Sequence, residues 1–184
     1  MRQCLDRFGR LDSLILNHGT LGPVTRLEDA NAPAWKAAFD INFFACVAFV
    51  SASIPHLRST NGNVILTSSG AAQSGYQAWG AYGASKAAVN HLAMTLAREE
   101  PKITALAVRP GVVDTEMQRD IREVHVQTMD GEEGGKFVSL HEEGRLLSPE
   151  LPGHVIAKLA LEAPRELSGR FLSWDSPELK SFQE

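Results

Sequence analysis

Residues 64–86 (VILTSSGAAQSGYQAWGAYGASK) restrict the possible folds of this chain more than any other stretch. The stretch begins with Val-Ile-Leu and breaks at Thr-Ser-Ser-Gly, which indicates a buried strand that ends in a turn. The small residues that follow favour a helix, and this helix carries Tyr82 and Lys86 four positions apart on one face. A strand without polar alternation that leads into a helix is typical of an α/β fold with a parallel sheet.

The pairing of Tyr82 with Lys86 has a chemical use. A tyrosine ordinarily loses its proton near pH 10, and a nearby cation favours the phenolate and lowers that pKa. We therefore predict that Lys86 lowers the pKa of Tyr82, so that Tyr82 can donate a proton to a carbonyl oxygen near neutral pH. Ser69 ends the preceding strand, where its hydroxyl could bond to the same oxygen. The other tyrosine of the chain, Tyr76, has Gly80 four residues later instead of a cation.

Ser69, the 13-residue interval to Tyr82, and the sequence Tyr-Gly-Ala-Ser-Lys resemble the active-site signature of the short-chain dehydrogenase/reductase family. Tyr-x-x-x-Lys alone is a weak signal, whereas the ordered set Asn42, Ser69, Tyr82 and Lys86 on the expected elements is specific. The resemblance implies that Tyr82 is the general acid/base and that Ser69 polarises the substrate carbonyl. It also implies that Lys86 binds the nicotinamide ribose and that Asn42 supports a proton relay through water. The alternative for Asn42 is a buried amide with satisfied hydrogen bonds.

Two further turns resemble cofactor-binding turns of that family. Asn17-His18-Gly19 resembles its Asn-Ala-Gly turn, and residues 110–115 (PGVVDT) resemble its Pro-Gly-x-x-x-Thr turn. His18 departs from the pattern, and we interpret it as a tolerated turn residue, the alternative being a polar contact to the cofactor. The resemblance implies NADP or NAD as cofactor, with NADP favoured, and no metal. The implied cofactor-binding residues are Asn17, Gly19, Tyr82, Lys86, Pro110, Gly111, Val113 and Thr115.

The remaining pattern predicts alternating helices and strands. We predict strands at 11–16, 64–66, 102–109 and 171–174, helices at 32–56 and 78–98 and from 150, and ordered structure ending at 175–177. Ser148 is predicted to cap the helix that starts at 150. The fold class is therefore α/β, a Rossmann-like doubly wound parallel sheet of about four strands with helices on both faces. Residues 116–147 correspond to the family's substrate lid, and its glycines at 131–135 predict mobility.

The family's fold begins with a strand, a Gly-rich turn, a helix and a second strand that hold the adenosine and pyrophosphate. This sequence contains no counterpart of those elements, so the resemblance implies a single, N-terminally truncated domain over 1–184. The choice between NAD and NADP is made in that N-terminal part.

Composition narrows the classes of function. The net charge is −4 with no basic tract, so we predict no nucleic-acid partner. No run of about 18 apolar residues and no secretory signal are found, so we predict no membrane span and a cytoplasmic protein. Cys4 and Cys46 lack metal-binding or CxxC spacing, which is consistent with a reducing compartment.

The predicted function is reduction of a ketone or dicarbonyl, or oxidation of a secondary alcohol, by hydride transfer. Residues 108–123 and 168–174 resemble the sepiapterin reductase and benzil reductase branch, although the acidic residue that holds a pterin has no counterpart. One alternative is a non-catalytic remnant that forms a homodimer through the helices at 32–56 and 78–98, an interface that the resemblance also implies for an enzyme. A Ser-His hydrolase is disfavoured because no G-x-S-x-G elbow is found.

Overall fold

Four parallel strands form one sheet in the order β1-β2-β3-β4 in the computed structural model, which describes residues 1–129 and 131–184. The strands are β1 (Ser13–Leu16), β2 (Asn63–Thr67), β3 (Thr104–Arg109) and β4 (Phe171–Ser173). All three neighbouring pairs run parallel. This arrangement confirms the predicted α/β fold with a four-stranded parallel sheet.

The two central strands are apolar because helices cover both faces of the sheet. Val64 and Leu66 of β2 pack into one core cluster with α3 (Ala45–Thr60) and α4 (Gly80–Glu99). Ile65 points to the opposite face and packs into a second cluster with α7 (Glu150–Glu162). All three side chains are fully buried, as the two-residue period of a strand between two helical layers requires.

The predicted helix over 32–56 is observed as one continuous helix, Ala32–Thr60. It consists of α2 (Ala32–Phe39), a π-helical turn (Asp40–Phe44) and α3. Its start is fixed by the Asn31 side chain, which accepts a hydrogen bond from the Ala34 N–H, and by a proline in the first turn. The sequence did not predict the π turn. The other helices are α1 (Arg2–Phe8), α5 (Glu116–Asp120) and α6 (Gly131–Glu142).

The helix Ala32–Thr60 is long and apolar enough to cross a membrane by length and composition alone, although the sequence analysis predicts no span. Core helices of proteins outside membranes pass the same test. Only 28% of its most apolar window is buried within this chain. Ile41, Phe44 and Phe49 are between 47% and 51% exposed, so these large apolar side chains of the helix are uncovered in a single chain.

Two predictions about the C-terminal third are wrong. Ser148 does not cap α7: its hydroxyl donates to the Glu150 carboxylate, and Pro149 occupies the N-cap without a side-chain bond. Ordered structure also continues beyond 175–177 into a 3₁₀ helix, Pro177–Phe182. The three-residue period of that helix places Leu179 and Phe182 on one face, where both are buried in the cluster around α7.

We expect Leu179→Ala to lower the free energy of unfolding by about 2–5 kcal/mol, because Leu179 is fully buried and its removal leaves a cavity. Leu161→Ala is the matched control, since Leu161 is 80% exposed, and it should change stability by less than about 0.5 kcal/mol. Urea unfolding of the two variants measures the difference. Equal effects would show that the C-terminal helix contributes nothing to the core.

The segment predicted as a lid, 116–147, is helical over most of its described length. It contains α5, a π turn (Ile121–His125), a 3₁₀ turn (Val126–Thr128) and α6, while residue 130 lies outside the described residues. The Gly-rich sequence at 131–135, for which we predicted mobility, is the first part of α6. Backbone bonds from Leu147 to Val112 and from Asp114 to Leu147 join the two ends of the segment. Its mobility stays a prediction.

Candidate active site

A cavity of about 380 Å³ opens at the edge of the sheet where β1, β2 and β3 end. Parallel strands present their carboxyl ends at the same edge, and ligands of open α/β sheets bind there. Its volume lies within the range of small-molecule sites. The lining includes nine of the residues predicted from the sequence: Asn17, Gly19, Ser69, Tyr82, Lys86, Pro110, Gly111, Val113 and Thr115.

Tyr82 lies in the first turn of α4 and is 8% exposed. Burial raises the pKa of Tyr82 above its ordinary value, and an interaction with the Ser69 side chain opposes this shift. The predicted lowering of this pKa by Lys86 is therefore wrong for the chain by itself. Lys86 Nζ lies 5.9 Å from the centre of the Tyr82 ring, and the loss of hydration on burial is the largest influence on the pKa of Tyr82.

Lys86 lies one turn further along α4, where burial lowers its pKa. Its ammonium donates a hydrogen bond to the Thr67 carbonyl at the end of β2, over 2.9 Å. Ser69 lies two residues after Thr67 and accepts a hydrogen bond from the Ala71 N–H. The end of β2 thus positions both the lysine and the serine beside Tyr82.

Asn42 lies in the π turn and is fully buried. Its Oδ1 accepts a hydrogen bond from the Thr20 N–H (2.8 Å), and its Nδ2 donates to the Thr20 carbonyl (2.9 Å) and to Ser85 Oγ (3.0 Å). This is the satisfied buried amide that we considered as the alternative for Asn42. The amide joins the turn after β1 to α4 next to Lys86, and its part in a proton relay stays a prediction.

Gly19 leaves open the space beside the lysine. A Cβ atom at this position would lie 3.2 Å from Lys86 Nζ and 3.4 Å from Asn42 Oδ1. Asn17, at the start of the same turn, accepts a hydrogen bond from the Thr67 hydroxyl. His18 faces away from the cavity: its Nε2 lies 3.8 Å from Cys46 Sγ, as suits a tolerated turn residue.

The turn after β3 forms the opposite side of the cavity. Gly111 has φ +81°, and a Cβ there would lie 2.5 Å from Leu147 Cδ1, so only glycine fits without strain. Thr115 caps α5 by accepting a hydrogen bond from the Gln118 N–H. Its hydroxyl, predicted to contact the cofactor, therefore also orders the start of α5.

The sequence analysis missed an aromatic wall, formed by Tyr76, Trp79 and Phe137, on one side of the cavity. The Trp79 ring stacks on Tyr76 at 5.0 Å and on Phe137 at 5.3 Å, and it meets Tyr82 edge-on at 5.7 Å. Phe137 belongs to α6, so the segment predicted as a lid supplies part of the wall. The three-residue spacing of Tyr76 and Trp79, just before Tyr82, was the available signal.

Arg109 also lines the cavity and was not predicted as a site residue from the sequence. It is the last residue of β3, and a cation at the carboxyl end of a parallel strand was the signal that could have identified it. Its guanidinium lies against Gly70, the residue after Ser69.

The sequence of this chain is similar to those of known proteins. Residues 1–125 match the profile of short chain dehydrogenases. An oxidoreductase of Saccharomyces cerevisiae is 47% identical over 176 residues, which cover 95% of this chain and 69% of that protein. A benzil reductase ((S)-benzoin forming) of the same yeast is 40% identical, covering 96% of this chain and 71% of the relative.

Solved structures show the same fold. A short chain dehydrogenase/reductase from Saccharomyces cerevisiae superimposes with a TM-score of 0.97 at 44% identity, covering 100% of this chain and 73% of that chain. A cytoplasmic protein of the same organism superimposes with a TM-score of 0.78 at 42% identity, again covering 100% and 73%.

Proposed function

Because the chain belongs to the short-chain dehydrogenase family, we propose that it is an NAD(P)(H)-dependent carbonyl reductase that converts a ketone or dicarbonyl to an alcohol. The observation that carries the proposal is the convergence of Ser69, Tyr82 and Lys86 on one cavity. The likeness to a benzil reductase supports a ketone or dicarbonyl as the substrate.

The residues around Lys86 fit the nicotinamide half of such a cofactor. The absence of a side chain at Gly19 leaves space beside Lys86 Nζ, and the absence of one at Gly111 lets Leu147 and Trp174 pack against the turn after β3. An ammonium has three N–H donors, and the Thr67 carbonyl accepts one from Lys86, so two remain for ribose hydroxyls. Asn17, Pro110, Val113 and Thr115 would complete the contacts from the turns after β1 and β3. We favour NADP over NAD.

When bound, the nicotinamide supplies the hydride that reduces the carbonyl carbon. The Ser69 hydroxyl donates a hydrogen bond to the carbonyl oxygen and orients it toward Tyr82. The Tyr82 hydroxyl then gives its proton to that oxygen, and its raised pKa keeps the proton available throughout the neutral range. Asn42 holds the turn after β1 against α4, and a proton relay through that region would return the proton to Tyr82.

The second candidate is a non-catalytic protein that associates with a second copy of itself. The uncovered apolar residues Ile41, Phe44 and Phe49, with Met94 of α4, favour a homodimer through the helices at 32–56 and 78–98. An active enzyme can use the same interface, so the two candidates differ in cofactor binding. We place the protein in the cytoplasm, in line with its structural relative.

Titration with NADPH and NADH separates these candidates. Trp79 lines the cavity, and Trp174 lies beside Gly111, so we expect saturable quenching of tryptophan fluorescence. Gly19→Val should weaken binding at least tenfold, because its side chain enters the space beside Lys86 Nζ. Circular dichroism confirms that the variant is folded. Absence of binding by the folded, unsubstituted chain would favour the non-catalytic candidate.

A further inference from the structure

Arg109 carries a cation at the cavity that the proposed chemistry does not use. A Cβ atom on Gly70 would lie 3.1 Å from Arg109 Nε and 3.2 Å from Cζ, so the guanidinium packs directly over this glycine. Gly70 directly follows Ser69, the serine proposed to face the substrate carbonyl. The guanidinium of Arg109, which has five N–H donors, therefore lies against the neighbour of that serine. The side chain of Arg109 forms no hydrogen bond or ion pair with the residues that the structure describes.

Several other arginines have acceptors within the chain, whereas the exposed Arg98, like the exposed Arg109, has none among the described residues. Arg58 pairs with Glu100, Arg170 pairs with Glu178, and Arg165 donates to two backbone carbonyls. A guanidinium that lines a cavity and has no acceptor of its own is suited to an acceptor that a ligand brings.

The aromatic wall faces the same cavity. Trp79 and Phe137 stack at an interplanar angle of 19°, and Tyr76 extends the stack. Trp79 and Phe137 are only 6% and 4% exposed because the three rings pack on one another, so the wall offers a small apolar surface against which the edge or face of a planar ring can pack. A substrate that fills the cavity therefore combines an aromatic ring with two oxygen acceptors, one for Ser69 and Tyr82 and one for Arg109.

We propose that Arg109 binds the second carbonyl oxygen of an aryl 1,2-dicarbonyl, so that the aromatic wall and this arginine together select such diketones. The inference rests on the proposed function. In the reaction, one carbonyl carbon gains hydride from the reduced nicotinamide, and its oxygen gains the proton of Tyr82. The second carbonyl is unchanged, and the product is an α-hydroxyketone. The guanidinium also draws electron density from the diketone, which makes the attacked carbon more electrophilic.

The test compares benzil with deoxybenzoin (1,2-diphenylethanone), which lacks only the second carbonyl oxygen. Benzil is symmetrical, so the choice of attacked carbonyl does not affect the result. We expect Arg109→Gln to lower kcat/KM for benzil about tenfold to a hundredfold, because a charged hydrogen bond is lost. The value for deoxybenzoin should change less than threefold. Arg98→Gln, on the exposed end of α4, is the matched control and should change neither value.

Several outcomes would overturn the inference. An equal loss of kcat/KM for both ketones, or no loss for either, would show that Arg109 does not contact the second carbonyl oxygen. A weaker affinity for NADPH in Arg109→Gln would assign the arginine to the cofactor. A preference for benzoylformate over benzil would assign it to an anionic substrate.

Failure of the proposed function is distinguishable from these outcomes. It would appear as no turnover of either ketone by the unsubstituted chain. Quenching of tryptophan fluorescence then still measures ligand binding. We expect Arg109→Gln to weaken binding of benzil at least tenfold and to leave that of deoxybenzoin unchanged; equal binding constants would refute the inference.

Discussion

Tyr82→Phe is expected to lower kcat for ketone reduction by about 10²- to 10⁴-fold, the usual contribution of a general acid. The change removes one hydroxyl group and keeps the ring that packs edge-on against Trp79, so the wall of the cavity stays in place. The ring also stays buried at the start of α4, which preserves the fold. Steady-state kinetics with NADPH, together with thermal unfolding, measure both quantities.

Cofactor affinity is the control for Tyr82→Phe. Because the proton donor acts in the chemical step, the Kd of NADPH should change much less than kcat. If Tyr82→Phe keeps more than about a third of the normal kcat, Tyr82 is not the general acid. A variant that has lost its fold would leave the role to be tested with Ser69→Ala, for which we expect a smaller loss of kcat with the acid still present.

Lys86→Met is expected to weaken NADPH binding and to lower kcat together, because the ammonium offers donors to the ribose and thereby positions the nicotinamide for the chemical step. The same change should not unfold the protein. Burial lowers the pKa of Lys86 in the folded chain, so the unfolded chain binds more protons between the folded and unfolded pKa values, and stability rises with pH in that interval. Below that interval, the buried ammonium costs stability, and an uncharged methionine side chain avoids this cost.

Lys180→Met is the matched control, since Lys180 is exposed on the C-terminal 3₁₀ helix. It should leave NADPH binding and kcat unchanged. For Lys86→Met, a loss of rate at unchanged cofactor affinity would remove the ribose contact from our proposal. A lower melting temperature at neutral pH would show that the bond to the Thr67 carbonyl outweighs the cost of burying the charge.

The strands and the position of the site could be predicted because both depend on local pattern. The apolar run at 64–66 has no polar alternation, and only burial on both faces explains that. Tyr82 and Lys86 share a face through helical spacing alone, and a strand end fixes Ser69. These inferences need no knowledge of distant packing.

The features that escaped prediction depend on contacts between distant segments. The pKa of Tyr82 is raised by burial that α6 and the turn after β2 create jointly. The packing of Arg109 against Gly70, 39 positions earlier in the sequence, follows from the pairing of β3 with β2. The 3₁₀ helix at the C-terminus is stable because Leu179 and Phe182 meet α7, and their own sequence resembles a frayed tail.

The π turn at 40–44 changes the direction in which side chains point along the helix Ala32–Thr60, so residues before and after it follow different helical registers. An α-helix turns 100° per residue, so the one residue that a π turn inserts rotates everything after it by about that angle. Asn42 can therefore face the turn after β1, while Cys46 and Val50 still face the sheet and Phe49 faces outward. Deleting one residue from this turn would restore a regular helix and rotate the two faces against each other. The length of this turn thus couples the direction in which Asn42 points to the directions of the exposed apolar side chains later in the helix.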